Sequence, residues 1–239
     1  MGKVHKLRFK VQPVEAAEHD LVITPRAVFN AAYAGRDAED VERHIADVVL
    51  GGERPRFPIP SLAPVSVHNL VTLDEVQEYT PSMIGEVEYV LVFHRGQLFV
   101  GVGSDHCDWL LEKHDFAHSK NVAPDVMANR LWRWSDVRDH FDELLLRCRV
   151  RVDGAWRVTQ EATCSTLRSP NFWLDHAAFS GGIADGTMLF SGTINHIAGL
   201  LKGDAYEVSM TDPRLGRVIS HTYQCMPATV PKLLDVRGA

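Results

Sequence analysis

One stretch constrains this chain more than any other: GEVEYVLVFHRGQLFVGVGSDH, Gly85 to His106. Two apolar runs flank Arg95-Gly96, a two-residue turn in which glycine supplies a positive φ, so the stretch predicts a β-hairpin. In that register 94 faces 97, 88 faces 103, and 86 faces 105. Glu86 and Asp105 then become cross-strand neighbours with Cβ atoms roughly 5 Å apart. Glu88, two residues along, shares their face. The opposite face carries Val87, Tyr89, Leu91 and Phe93 against Leu98, Val100, Val102 and Ser104, as a core face should. Gly101 and Gly103 stand on the acidic face, and glycine inside a strand often marks a close approach to the backbone. Three carboxylates converging beside open space need a cation. Hard oxygen donors suit Mg²⁺, with Mn²⁺ or Ca²⁺ as substitutes. A lone E-x-E more often caps a solvated sheet edge; the third acid and the facing glycines favour a metal here.

The rest of the chain excludes several classes of partner. Its 239 residues are 45% hydrophobic and 23% charged, with a formal charge of -6 and no block of Lys or Arg. A phosphate backbone is therefore not an expected partner. No apolar run reaches the roughly 18 residues of a membrane helix. The opening MGKVHKLRFKVQ alternates like a strand and lacks the apolar centre of a secretory signal. Cys107, Cys148, Cys164 and Cys225 are scattered without zinc-pair spacing, which predicts reduced thiols and a cytoplasmic protein.

Coarse patterns predict an α+β chain rich in strands, with short helices near the front. Residues 4–12 read as a first strand. TPRAVFNAAYAG offers Thr24 as an N-cap, Pro25 at the first helical position and Gly35 as a stop. A second helix is expected from a cap at Asp37 to Gly51-Gly52, with Val41, Ile45, Val48 and Val49 as its apolar stripe. ERPRFPIPSLAP is too proline-rich for regular structure and divides an N-terminal piece, 1–60, from a main domain, 61–239. Later come two strands around Asp153-Gly154, a short helix in SPNFWLDHAAF, a strand in GTMLFSGT, and a last hairpin turning at DPRLG.

The ordered set Glu86-Val87-Glu88, Gly103-Ser104-Asp105 and Lys120, with DGTMLFSGTINHIAGLLKGDAYEVSMTDPRLGRVISHTY behind it, resembles the fumarylacetoacetate hydrolase superfamily. The resemblance runs from about Gly85 to Tyr223. It implies a β-rich roll of stacked mixed sheets, usually a homodimer, and a Mg²⁺, Mn²⁺ or Ca²⁺ ion on Glu86, Glu88 and Asp105. It further implies Lys120 at the metal-bound oxygens and Gly192-Thr193 on the carboxylate of a small-molecule acid. The activity it implies is C–C hydrolysis of an acylpyruvate-like 2-oxo or β-dicarbonyl acid. Decarboxylation or hydration is the alternative, and a ligand-binding subunit without turnover is a reading from another class. Three departures stand out. The interval from Glu88 to Asp105 is short. Trp109 lies near the place of a substrate-positioning Arg. The Glu–His pair that activates water in the family's hydrolases is not identifiable in the sequence.

Other residues complete the expectation. His106, beside Asp105, is a candidate for proton transfer because an unperturbed imidazole titrates near neutrality. Strand alternation points it away from Glu86 unless the strand has already ended. His68 and His118 are further candidates, and Asp108 is expected to orient a substrate, a water or Lys120. In RLWRW, Arg130 to Trp134, alternation buries rings and exposes arginines rather than building a base-stacking surface.

Overall fold

Residues 5–48, 57–176, 179, 181–197 and 199–228 are described by a computed structural model, and strands dominate them. The N-terminal part runs β1 (Leu7–Val11), β2 (His19–Ile23), β3 (Ala27–Ala32), α1 (Ala38–Val48), β4 (Ser61–Val65), β5 (Leu70–Val71) and β6 (Glu75–Glu78). The hairpin follows as β7 (Met83–His94) and β8 (Gln97–Asp108), then α2 (Trp109–Glu112) and α3 (Phe116–Ser119). Next come β9 (Asp125–Met127), β10 (Arg130–Arg133), α4 (Trp134–Val137) and a 3-10 turn over Arg138–Glu143. β11 (Leu145–Val152) and β12 (Ala155–Thr163) precede α5 (Pro170–Leu174), β13 (Thr187–Phe190), β14 (Ala205–Asp212) and β15 (Arg217–Pro227).

These strands form two sheets. The larger runs β2-β1-β10-β8-β7-β13-β3-β4, with β9 beside β8 and β5 beside β9; the smaller runs β12-β11-β14-β15-β6. The hairpin register is the one its turn demands, with 86↔105, 88↔103 and 94↔97 paired. Arg95 and Gly96 both have positive φ, 50° and 71°, the signature of a type I′ turn. Val87, Tyr89, Leu91, Val100 and Val102 pack against Leu146, Val150, Tyr206 and Val208 between the sheets. Val90, Val92 and Phe99 face a second core with Phe9, Val11, Leu131 and Phe190. Each such fully buried side chain contributes roughly 1.5–3 kcal/mol. With both faces covered, a one-residue slip would expose neither set to water but would drive the carboxylates between the sheets, so the register is strongly specified.

Two expectations are corrected. TPRAVFNAAYAG is not a helix: its centre is β3, paired parallel with β13 and antiparallel with β4. Val28 faces one core and Ala31 the other, so tertiary pairing overrides local cap signals. The proline-rich segment is not wholly irregular, since Ser61–Val65 is β4 at the end of the large sheet, where a missing Pro64 N–H costs no ladder bond. The second helix is α1, capped as expected by Asp37, whose Oδ1 accepts from the N–H groups of Glu39 and Asp40. Val49 and the Gly51-Gly52 stop lie outside the described residues. β1 pairs with β10 and β3 with β13, so strands from either side of residue 60 share one sheet. Among the described residues no helix is long and apolar enough to cross a membrane.

Candidate metal centre

The hairpin places Glu86, Glu88 and Asp105 on one buried face, all 5% exposed or less. β9 pairs along β8 and adds Asp125 directly opposite Asp105. The loop after α3 brings in Lys120, whose Nζ lies 2.6 Å from Asp105 Oδ2, 3.0 Å from Glu112 Oε2 and 3.3 Å from Cys107 Sγ. Cys107 follows Asp105 by two residues, so strand alternation puts its thiol on the acidic face. The ligand atoms of Glu86, Asp105 and Cys107 all lie within 4.8 Å of one another. Glu88 is held slightly apart, its Oε2 accepting from the Gly192 N–H at 2.8 Å.

The glycines on the acidic face, Gly103 opposite Glu88 and Gly101 opposite Val90, have a different purpose from the one expected. A Cβ at Gly103 would stand 2.7 Å from Phe190 Cε1 and 2.8 Å from the Val126 carbonyl oxygen, and one at Gly101 2.8 Å from Met127 Cε. They admit neighbouring protein, not open space for a ligand.

Charge in this cluster is unevenly matched. Burial opposes ionisation of Glu86, but a 2.9 Å hydrogen bond from His196 Nε2 and the Lys120 charge prevail and hold it down at about 2. Burial raises Asp105 to about 6 despite Lys120, and pushes Glu88 and Asp125 well above the carboxylate range, each further raised by Asp105. Burial would lower Lys120, yet Asp105, Cys107, Glu112 and Glu86 raise it well above an ordinary lysine. Buried oxygens Asp105 Oδ1 and Asp125 Oδ2 have no hydrogen-bond partner. Five carboxyl groups around one ammonium, with unpartnered buried oxygens among them, fit a divalent cation. Glu86, Asp105 and Glu88 are the residues that would hold it, with Cys107 and Asp125 alongside.

The other sequence candidates fall elsewhere. His106 is not at the acids: alternation puts it on the opposite face, between Glu78 Oε1 and the Tyr223 hydroxyl, each at 3.1 Å. Asp108 caps α2, accepting from Leu110 and Leu111 N–H and from Thr80 Oγ1. The Gly192 N–H is committed to Glu88, and Thr193 Oγ1 donates to the Val87 carbonyl while accepting from Gln160 Nε2. His118 pairs with Asp115 on the surface, and His68 stacks edgewise on His5.

Two histidines that sequence reasoning missed are close by. His196 meets Glu86 and leaves Nδ1 unpartnered; His44, on α1, also has a buried Nδ1 without a partner. Burial lowers His44, keeping it neutral at neutral pH. It lines a cavity of about 200 Å³ with Tyr33, Asp40, Thr193 and Asn195. Among the described residues no Lys or Arg lines that cavity; Tyr33 connects it to the cluster through a hydrogen bond to Glu112.

Comparison with known families decides where the chain belongs. A family model described as a protein of unknown function, DUF2848, matches residues 31–223. The chain belongs to the DUF2848 family. No curated protein matches this DUF2848 chain by sequence. Among solved structures it is similar to Cg1458 with an inhibitor: 13% identity over 90% of this chain and 84% of that one, TM-score 0.65. It is similar to 2-keto-3-deoxy-D-arabinonate dehydratase complexed with magnesium and 2,5-dioxopentanoate, at 17% identity over 87% and 76% of the two chains, TM-score 0.57. Yeast ynq8, a fumarylacetoacetate hydrolase family protein, is similar at 11% identity over 88% and 97%, TM-score 0.56. At these identities the likeness shows the fold: this DUF2848 protein has the α+β fold of fumarylacetoacetate hydrolase family proteins, in a divergent sequence.

Proposed function

We propose that this protein is a divalent-metal-dependent enzyme acting on a small 2-oxo acid, hydrolysing a C–C bond of an acylpyruvate-like substrate. The observation that carries the reading is the join between the acidic cluster and the cavity: Tyr33 and His44 line the cavity, and Tyr33 is hydrogen-bonded to Glu112 beside Lys120. A bound divalent ion would act as a Lewis acid on the oxygens of a 2-oxo acid. Lys120, joined to the cavity-lining Tyr33 through Glu112, would stabilise electrostatically the charge that develops on the enolate oxygen.

Hydrolysis needs a base for water, and His44 Nδ1 is neutral, unpartnered and on the cavity wall. His44 takes a proton from water while the water oxygen bonds to the acyl carbon. The bond from that carbon to the pyruvyl CH₂ breaks with its electrons passing into the enolate. His44 returns that proton to the enolate carbon, which gives pyruvate and a carboxylic acid. Residue roles inferred from the resemblance change in one respect. Gly192 and Thr193 shape the site through Glu88 and Val87, and the substrate carboxylate would fall to Lys120. The similar dehydratase that binds magnesium favours a second reading, dehydration of a 2-keto-3-deoxy sugar acid in the same cavity.

The test is product analysis by NMR with Mg²⁺- or Mn²⁺-loaded protein on acylpyruvates and on 2-keto-3-deoxy sugar acids. A pair of acids supports the hydrolase, and a dehydrated 2-oxo acid supports the second reading. Asp105→Asn should abolish either reaction together with calorimetric metal binding. Metal and oxalate binding without turnover of any such acid would overturn the enzyme reading in favour of a ligand-binding protein.

A further inference from the structure

Cys107 is 1% exposed, yet its surroundings are not those of a thiol serving as apolar filler. Its Sγ accepts from Lys120 Nζ at 3.3 Å and donates to Glu112 Oε2 at 3.8 Å. The same ammonium stands 2.6 Å from Asp105 Oδ2, so thiol and carboxylate already converge on one cation. The ligand atoms of Glu86, Asp105 and Cys107 lie within 4.8 Å of one another on this face, while Glu88 is held by the Gly192 N–H. Strand alternation fixes the arrangement, because 105 and 107 project to the same side of β8.

We propose that Cys107 is a ligand of the metal in this centre, with Glu86 and Asp105, and that the mixed oxygen–sulfur set selects a borderline ion such as Zn²⁺ over Mg²⁺. Thiolate is a poor partner for a hard ion that prefers an oxygen octahedron, and a good one for Zn²⁺. Ligation forms a metal–sulfur bond and releases the thiol proton to solvent. The inference rests on the metal-centre reading above and deepens it by naming the ion class.

A second cluster offers a contrast. Glu78, His106 and Cys225 also lie within 4.8 Å of one another. There, however, Glu78 pairs with Lys202, and both His106 nitrogens are engaged, by Glu78 and Tyr223. That cluster satisfies itself and leaves no unpartnered carboxylate oxygen like Asp105 Oδ1.

Co²⁺ titration of the metal-free full chain tests the proposal, followed by absorption and by calorimetry. A thiolate-to-cobalt charge-transfer band in the near ultraviolet is expected in the wild type and in Cys225→Ser. It should be absent in Cys107→Ser and Cys107→Ala, whose folding is checked by circular dichroism and thermal melting. Zn²⁺ affinity should fall roughly tenfold or more in Cys107→Ser, with a smaller change for Mg²⁺. If a Cys107 variant does not fold, loss of the band in Asp105→Asn but not in Cys225→Ser serves as the second measurement. Cobalt binding without the band would mean all-oxygen ligation and overturn the proposal while leaving the proposed function standing. A band lost in Cys225→Ser and kept in Cys107→Ser would overturn it by placing the ion in the other cluster. No binding of any divalent ion would overturn both readings.

Discussion

Gly85 sits one residue before the E-x-E pair, and its lack of a side chain is used by the face of the hairpin away from the acids. A Cβ there would lie 2.1 Å from the Tyr223 hydroxyl and 2.7 Å from Ser104 Oγ. That space is filled by a directional chain of hydrogen bonds. The Glu78 carboxylate can only accept, so His106 Nε2 donates to it, which leaves Nδ1 to accept from Tyr223 and Tyr223 to accept from Ser104, while the Glu86 N–H donates to Ser104. Each buried group has its partner, which is what such a network needs. Gly85→Ala should therefore destabilise by about 2–3 kcal/mol, measured by urea unfolding. In a Tyr223→Phe background, where the colliding hydroxyl is gone, the same substitution should cost at least 1 kcal/mol less, a coupling expected of residues in contact. Additive costs would show that the collision is not what makes glycine necessary.

At this scale the sequence was readable wherever period-two alternation decides the outcome. Glu86, Glu88 and Asp105 meet because a two-residue turn fixes their register. The same rule would have found Cys107, two residues beyond Asp105. Nothing local points to Asp125, Glu112, His44 or His196, because each arrives from an element whose position is set by tertiary packing.

Among the elements, α1 was legible from its cap and apolar stripe, and β3 was not. Thr24, Pro25 and Gly35 imitate helix punctuation, but the intervening residues alternate between two cores only when both β13 and β4 flank them. Sequence shows the local signals and not the partners. α1 matters because it carries His44 to the cavity, while its Val41 and Ile45 pack with Tyr33 and Phe57. Asp37 satisfies two of its free N–H groups. Asp37→Ala should cost about 1 kcal/mol, or roughly 2–4 °C in Tm for a chain of this size. Hydrogen exchange should quicken across α1 while the β7–β8 amides keep their protection. Equal quickening in both would mean that α1 is no separable unit.

The boundary expected near residue 60 followed proline content, but the large sheet crosses it, so the whole molecule depends on ties between distant segments. Asp212, fully buried at the end of β14, is one such tie. It accepts from His140 Nε2 at 3.0 Å, from Arg217 Nε at 3.2 Å and from the N–H groups of Arg214 and Leu215. Arg217 in turn donates to the Gln12 carbonyl after β1 and lies over the Trp132 ring. One carboxylate thus joins the small sheet, the 138–143 turn and the N-terminal edge of the large sheet. Burial alone would raise its pKa, but the bonds from His140, Leu215 and Arg217 prevail and lower it. A carboxylate whose folded pKa is depressed contributes stability that is full above its unfolded pKa of roughly 3.9 and is lost as pH falls through the folded value. Asp212→Asn should accordingly lower Tm at pH 7 by roughly 6–12 °C, the equivalent of about 3 kcal/mol for a broken buried pair. The gap between wild type and variant should narrow steadily in melts taken below pH 4, as the wild-type carboxyl takes up its proton and loses the advantage of charge. A gap that stayed constant from pH 7 down to pH 3 would show that shape and packing at Asp212, not its ionisation, hold the two sheets together.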